Sequence, residues 1–284
     1  MSAASRALLA RGANLTALAI VVFVPFILYP LGGLFLLSVR TNSGLSIAPY
    51  LDFFSDSRSL EIIRTSLEIV AASAALATLV GVALAALLFY LPFRGSTLLI
   101  RLMELFVAFP SFLVAFTLIF LYGTQGSVNV FLVKTFHLAH APIDFLYGFG
   151  GIVFAEMIYY TPFVVRPTLT ALTLIDPRVV EAARSLGASP ALVTRRVVLP
   201  MALPGIVAGS ILSFLFIMNE FGILLVLGSA KLITLPLAIY TSFTIDLDRA
   251  AAATQAAVML FASLSVFIIY RRVTRAGTRG HARG

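Results

Sequence analysis

Five stretches of this chain carry no charged residue over lengths that soluble folds rarely reach. They lie between Arg11 and Arg40 (28 residues), Glu68 and Arg94 (25), Glu104 and Lys134 (29), Arg196 and Glu220 (23), and Arg249 and Arg271 (21). A sixth apolar stretch, Phe145 to Val165, is interrupted only by Glu156. At about 1.5 Å of rise per residue, each is long enough to cross roughly 30 Å of hydrocarbon as a helix. The composition agrees: 60% hydrophobic, 11% charged and a mean hydropathy of +1.04, where soluble domains carry about 25% charge. The sequence therefore predicts an all-α integral membrane protein with six transmembrane helices. Phe221–Val226 is apolar but too short to span, and reads as a re-entrant or interfacial piece.

Arg6 and Arg11 precede the first stretch as they would a secretory signal, but signal cores run to about 7–15 residues. The first helix is therefore expected to be retained. With the N-terminus inside, 14 of the 20 basic residues fall in inner segments and the other 6, Arg40, Arg58, Arg64, Lys134, Lys231 and Arg249, in outer ones. The positive-inside rule then puts both termini in the cytoplasm. The expected organisation is a cytoplasmic N-terminus (1–13), a transmembrane domain (14–270) with a cytoplasmic loop at 166–200 between the fourth and fifth helices, and a basic tail (271–284). The net charge of +8 is spread over short loops and the ends, which fits a membrane protein rather than a nucleic-acid binder. With no cysteine, disulfides and Cys-ligated metals are excluded.

The inner loop is the most charged part of the chain, and its punctuation is unusually clear. Asp176-Pro177 supplies an N-cap and a proline at the first helical position, and Ser189-Pro190 repeats the signal. The first helix is predicted to run through Leu186 and stop at Gly187, which tolerates left-handed geometry. The second is predicted to run through Val198 and be halted by Pro200, where the fifth span begins. On the first helix Val179, Ala182, Ala183 and Leu186 share one face, which suits a hydrophobic groove on a soluble partner. A second possibility is an amphipathic helix lying on lipid headgroups, with Arg178, Arg184, Arg195 and Arg196 facing anionic lipid; the glycine corner speaks against it.

The same residues carry a resemblance. Glu181-Ala182-Ala183, three residues, Gly187, nine residues, then Val197-Val198-Leu199-Pro200 resembles the EAA loop of permease subunits in binding-protein-dependent ABC importers. That family's pattern has Ile where this chain has Val197. The resemblance implies that Glu181, Ala182, Ala183, Arg184, Leu186, Gly187, Leu199 and Pro200 belong to a pair of coupling helices. Such helices dock on a cytoplasmic ATP-binding subunit dimer, which uses ATP and magnesium. It also implies a second permease subunit, an extracytoplasmic solute-binding protein, a bacterial inner-membrane location, and no cofactor on this chain. "MNEFG" around Glu220 is similar to the matching segment of oxyanion, iron, thiamine and 2-aminoethylphosphonate importers, and the following "LGSAKLITLPLAIY" resembles that of the aminoethylphosphonate-type permeases.

Polar residues within spans are costly, by about 2.5–3.5 kcal/mol for a charge at the centre, and so mark candidate sites. Glu156, Asn219 and Glu220 are candidate residues of a solute pathway; each also has a purely structural reading. Glu68 and Glu104 sit at predicted span ends, where interfacial water explains them, and Gln255 reads as an interhelical hydrogen bond. Gly205 and Gly209 permit close helix approach. His137 and His140 lack an acidic companion at metal-binding spacing, and no phosphate-binding G-x-x-x-x-G-K-[ST] occurs. Neither a metal-ligand cluster nor a nucleophile elbow supports an intramembrane enzyme. A proton-coupled carrier using Glu156 and Glu220 is the alternative; such carriers are usually internally repeated, and no repeat is visible.

Overall fold

The computed structural model describes residues 20–41, 44–228 and 232–281, without the side chains of 273 and 275–281. The predicted N-terminal segment 1–13 lies outside the described residues. The chain forms two compact units, Met1–Leu60 with Ala238–Leu260, and Glu61–Leu237 with Phe261–Gly284.

In the described part of the first unit, α1 (Ile20–Ser38) exposes its apolar side chains along its length. A two-residue hairpin pairs β1 (Arg40–Thr41) with β2 (Gly44–Leu45), followed by α2 (Ala48–Ser55). The carbonyl of Ser38 accepts from Thr254 Oγ1 at 3.2 Å, and the Ser38 hydroxyl lies 2.6 Å from Tyr50 Oη. Gln255 accepts from Ser242 at 3.4 Å, linking α11 (Leu235–Thr244) to α12 (Arg249–His281).

The second unit is organised around α7 (Phe149–Thr173). On one side stands α3 (Ser57–Tyr90), which presents the buried small residues Ser73, Ala77, Gly81 and Ala85 at four-residue intervals. On the other stands α9 (Pro190–Met218), with Gly205 and Gly209. Val164 is clasped between them: a Cβ added at Gly81 would lie 2.7 Å from Val164 Cβ, and one added at Gly209 would lie 3.0 Å from Val164 Cα. At Gly205 the added carbon would fall 2.4 Å from Ala171 Cβ and 2.6 Å from the Pro167 carbonyl oxygen. Small residues thus let three backbones approach where a larger side chain would hold them apart. Gly205→Leu is expected to cost more than about 3 kcal/mol, because backbone rather than a flexible side chain must move. Loss of the monodisperse full-length protein in detergent would register it, and an unchanged unfolding temperature would contradict it.

By length and composition five apolar helical stretches reach spanning size among the described residues, Ile20–Ser38, Ser57–Tyr90, Ser111–Phe136, Pro190–Met218 and Arg249–Arg272, of which Ser111–Phe136 is broken by a turn. The all-α membrane architecture is as expected, but two predicted spans differ in detail. The third is not one rod. Helix α4 (Ser96–Val107) stops before Pro110, α5 (Ser111–Tyr122) follows, and the chain turns at Gly123–Gly126 into α6 (Ser127–Phe136). At 12 residues α5 covers only about 18 Å. The fourth is α7, which is long enough at 25 residues but too polar to be picked out by hydropathy. It can be so because packing on both sides shields it.

The boundary expected at 166 also moves. Helix α7 continues through Pro167 to Thr173, so the loop between α7 and the next long helix begins about two turns later. Pro200 does not halt the second loop helix. A π-turn at Thr194–Val198, closed by the Leu199 N–H donating to the Thr194 carbonyl, widens the backbone just before the proline, and α9 runs on unbroken. The same device, Tyr29 N–H to the Val24 carbonyl, precedes Pro30 in α1. A proline ring would clash with the carbonyl four residues back; the wider turn moves that carbonyl aside. Likewise α12 continues past 271 without a break.

Candidate functional site

The loop that follows α7 folds as its punctuation suggests. Asp176 Oδ1 accepts from the Arg178 N–H at 2.9 Å and starts α8 (Pro177–Ser185). At its end the Gly187 N–H donates to Arg184 and the Ala188 N–H to Ala183, with Gly187 at φ +83°. This is a full Schellman cap, which needs a left-handed residue at the corner. Ser189 then caps α9 by accepting from Leu192.

Helix α8 has two apolar sides rather than one. Val180 and Ala183 pack inward against a core of Leu172, Ile175, Val193 and Val198. Val179, Ala182 and Leu186 lie about a quarter-turn round the helix from that side at about 100° per residue, and Leu186 is 89% exposed. The four-residue face expected from the sequence is thus split, with Ala183 taken by the protein's own core. Glu181 and Arg184 sit on neither apolar side; with Pro177 and Val180 they line a cleft between α8 and the ends of α3 and α7. Leu199 is exposed and Pro200 follows it, just past the π-turn within α9.

A second cluster joins parts of the chain that are distant in sequence. Glu220, at the end of α9, is 5% exposed. Its Oε1 accepts from Ser111 Oγ at 2.8 Å and from the Ile223 N–H at 2.8 Å, and its Oε2 accepts from Tyr160 Oη. Neighbouring Tyr159 donates to the Phe109 carbonyl at 2.8 Å. One carboxylate therefore ties the Val107–Ser111 break to α7 and to the turn into α10 (Gly222–Leu227). Gly222 leaves the room: a Cβ there would lie 2.8 Å from Ser111 Oγ. Glu156, by contrast, is 0% exposed with neither oxygen hydrogen-bonded, and the buried Ser73 hydroxyl beside it is also unpartnered.

Residues 77–277 match the family described as binding-protein-dependent transport system inner membrane component. The chain belongs to that family. It is a permease subunit of an ABC importer, a multi-pass inner-membrane transport component and not itself an enzyme. PhnU from Salmonella choleraesuis (strain SC-B67), provisionally named a 2-aminoethylphosphonate transport system permease protein, is 35% identical over 239 residues, covering 84% of each chain. The spermidine/putrescine transport system permease protein PotC of Escherichia coli (strain K12) is 26% identical over 274 residues, covering 96% of this chain and 97% of its own. Among solved structures, a bacterial ABC transporter involved in the import of the acidic polysaccharide alginate aligns with a TM-score of 0.74 at 17% identity, covering 97% of this chain and 96% of that one. That likeness is one of fold.

Other predicted residues of the permease are placed as follows. Asn219 is exposed, donates to the Leu215 carbonyl at 2.7 Å and accepts from Ser263 at 3.2 Å. Glu104 lies in the last turn of α4 and pairs with Arg166 of α7, both half-exposed. Glu68 pairs with Arg64 one turn back at 2.7 Å. Sequence reasoning passed over Asn129, which is fully buried: its amide donates to the Tyr122, Gly123 and Ile143 carbonyls and accepts from the Ile143 N–H. An uncharged residue inside a charge-free run gave no signal. Its neighbours Gly123 and Gly126 did mark the turn it braces.

Proposed function

We propose that this permease forms half of the transmembrane pathway of an importer for 2-aminoethylphosphonate or a closely related small polar solute. The pathway is energised by ATP hydrolysis, with magnesium, on a separate cytoplasmic ATP-binding dimer. The observation that carries the solute assignment is the 35% identity to PhnU across 84% of both chains. The exposed Val179, Ala182 and Leu186 of α8, held at a fixed angle by the Gly187 cap, form the face that docks on the motor. A second permease subunit and a solute-binding protein complete the assembly, with both termini on the motor's side. Asn219 is open to the pathway. Glu156 reaches it only when α3 and α7 separate, and Glu220 is a wall residue, both of its oxygens already accepting hydrogen bonds.

Reconstitution with the cognate motor and binding protein tests this. Radiolabelled 2-aminoethylphosphonate is expected to accumulate in proteoliposomes only with ATP, to resist a protonophore, and to exceed putrescine uptake by at least roughly tenfold, the factor set by about 1.4 kcal/mol of discrimination. Preference for putrescine would overturn the solute. Uptake driven by a proton gradient without ATP would instead support a carrier working through Glu156 and Glu220.

A further inference from the structure

We propose that Glu156, with Ser73 beside it, is the point of the pathway that selects a primary ammonium group, uncovered when α3 parts from α7. This rests on the solute reading above and adds to it the residue that recognises the cationic end of the solute. The two buried acidic residues of this unit are put to different uses. Glu220 has a donor at each oxygen. Glu156 has none, although both of its oxygens are shielded from solvent, and the neighbouring Ser73 Oγ is shielded and unpartnered too. A buried carboxyl without a donor costs folding free energy and holds nothing together. An apolar side chain of similar size would fill the place at lower cost, so the carboxyl has its use in another conformation.

The packing shows which way the site opens. Helix α7 lies along α9 much more extensively than along α3, and its polar ties run elsewhere: Tyr160 to Glu220, Tyr159 to the Phe109 carbonyl, and Arg166 to Glu104. The hydrogen bonds of α3 to other helices join Tyr90 to Thr194 and the Leu235 N–H to Ser66. Among the described residues no hydrogen bond or ion pair joins α3 to α7. What α3 presents there is the row of small residues Ser73, Ala77, Gly81 and Ala85, so parting at Ser73 breaks no polar bond. Opened to water, the seam offers a carboxylate and a hydroxyl oxygen, both acceptors, to a group with three N–H donors. Glu220 lies near enough for its charge to be felt at Glu156, so the field there favours a cation. Arg166, about 15 Å further along α7, is already paired with Glu104. An ammonium is therefore attracted, while a solute with a phosphonate alone is repelled. 2-Aminoethylphosphonate meets the site with its amine, its phosphonate turned away.

The chain contains no cysteine, so Ser73→Cys places its only thiol at the site. The permease–motor complex carrying it, in nanodiscs with binding protein, is treated with 2-aminoethyl methanethiosulfonate or its 2-sulfonatoethyl counterpart. Labelling is read from the intact mass of the permease, without ATP and during turnover. The two conditions are expected to differ by at least roughly tenfold in rate, because the position is buried in one conformation and open in the other. In the faster condition the cationic reagent should lead the anionic one by roughly tenfold, relative to their rates on free cysteine, as befits one charge-assisted contact. Glu156→Gln in the same background should remove that lead and keep the dependence on ATP. Slow labelling in both conditions, or a charge preference that survives Glu156→Gln, would overturn the proposal. A second readout uses Glu156→Gln with Ser73 intact. Uptake of 2-aminoethylphosphonate should fall roughly tenfold while ATP hydrolysis stimulated by loaded binding protein stays at the wild-type rate; unchanged uptake would equally overturn the site. The labelling itself needs no solute. A permease that shows the charge preference but imports putrescine would refute the solute reading and leave the ammonium site standing.

Discussion

Gly187→Val is expected to uncouple ATP hydrolysis from transport. The corner residue sits at φ +83° with nothing within 4 Å of where a side chain would go, so crowding plays no part and backbone geometry decides the outcome. A β-branched residue is a poor occupant of the left-handed region, and that geometry costs even ordinary residues roughly 1–2 kcal/mol. The corner then opens, the Gly187 and Ala188 bonds back to Arg184 and Ala183 are lost, and α8 leaves its docking angle. A penalty of that size depopulates the correct angle by about 5- to 30-fold. Transport per ATP hydrolysed should fall by a comparable factor while the protein still folds. Gly187→Asn should retain most of the coupling, because Asn tolerates left-handed geometry. Wild-type coupling in Gly187→Val would refute the view that this corner sets the angle of a docked helix.

Glu220→Ala is expected to prevent stable folding rather than to alter solute preference. It would orphan three donors at once, on Ser111, Tyr160 and Ile223. A buried donor left without a partner costs about 1–3 kcal/mol, so the sum is a large share of a typical stability of about 5–15 kcal/mol. Glu220→Gln keeps an acceptor for Ser111 and Ile223 and should be intermediate. Thermal unfolding in detergent separates the readings: a pathway carboxylate would leave the midpoint unchanged and shift only uptake, whereas a tie between helices moves the midpoint in the order Ala, Gln, wild type.

What the sequence made legible was local. The caps at Asp176 and Ser189 and the Gly187 corner depend on residues within a turn of one another, and each stands where the letters put it. Membrane character was equally plain from uncharged length. Partnerships across long separations were hidden: Glu220 and Ser111 are 109 residues apart, and nothing in either neighbourhood names the other. Pro200 misled for a different reason. Proline reads as a stop only while the helix keeps its ordinary width, and a π-turn just upstream removes the clash without leaving a compositional trace. The division of the third span was signalled by Pro110, Gly123 and Gly126, but a search for missing charges does not weigh them. On α8 the periodicity identified apolar residues without revealing that Val180 and Ala183 would be claimed from within.

The enclosure of α7 by two seams of small residues bears on how the polypeptide reaches the bilayer. A segment containing Glu156 and Arg166 partitions poorly by itself, yet its flanks match surfaces carried by α3, which leaves the ribosome earlier, and by α9, which leaves later. Its integration is thus cooperative, waiting on a companion already in place and sealed by one still being synthesised. Replacing the seam glycines would therefore be felt during biogenesis, before any cargo is met.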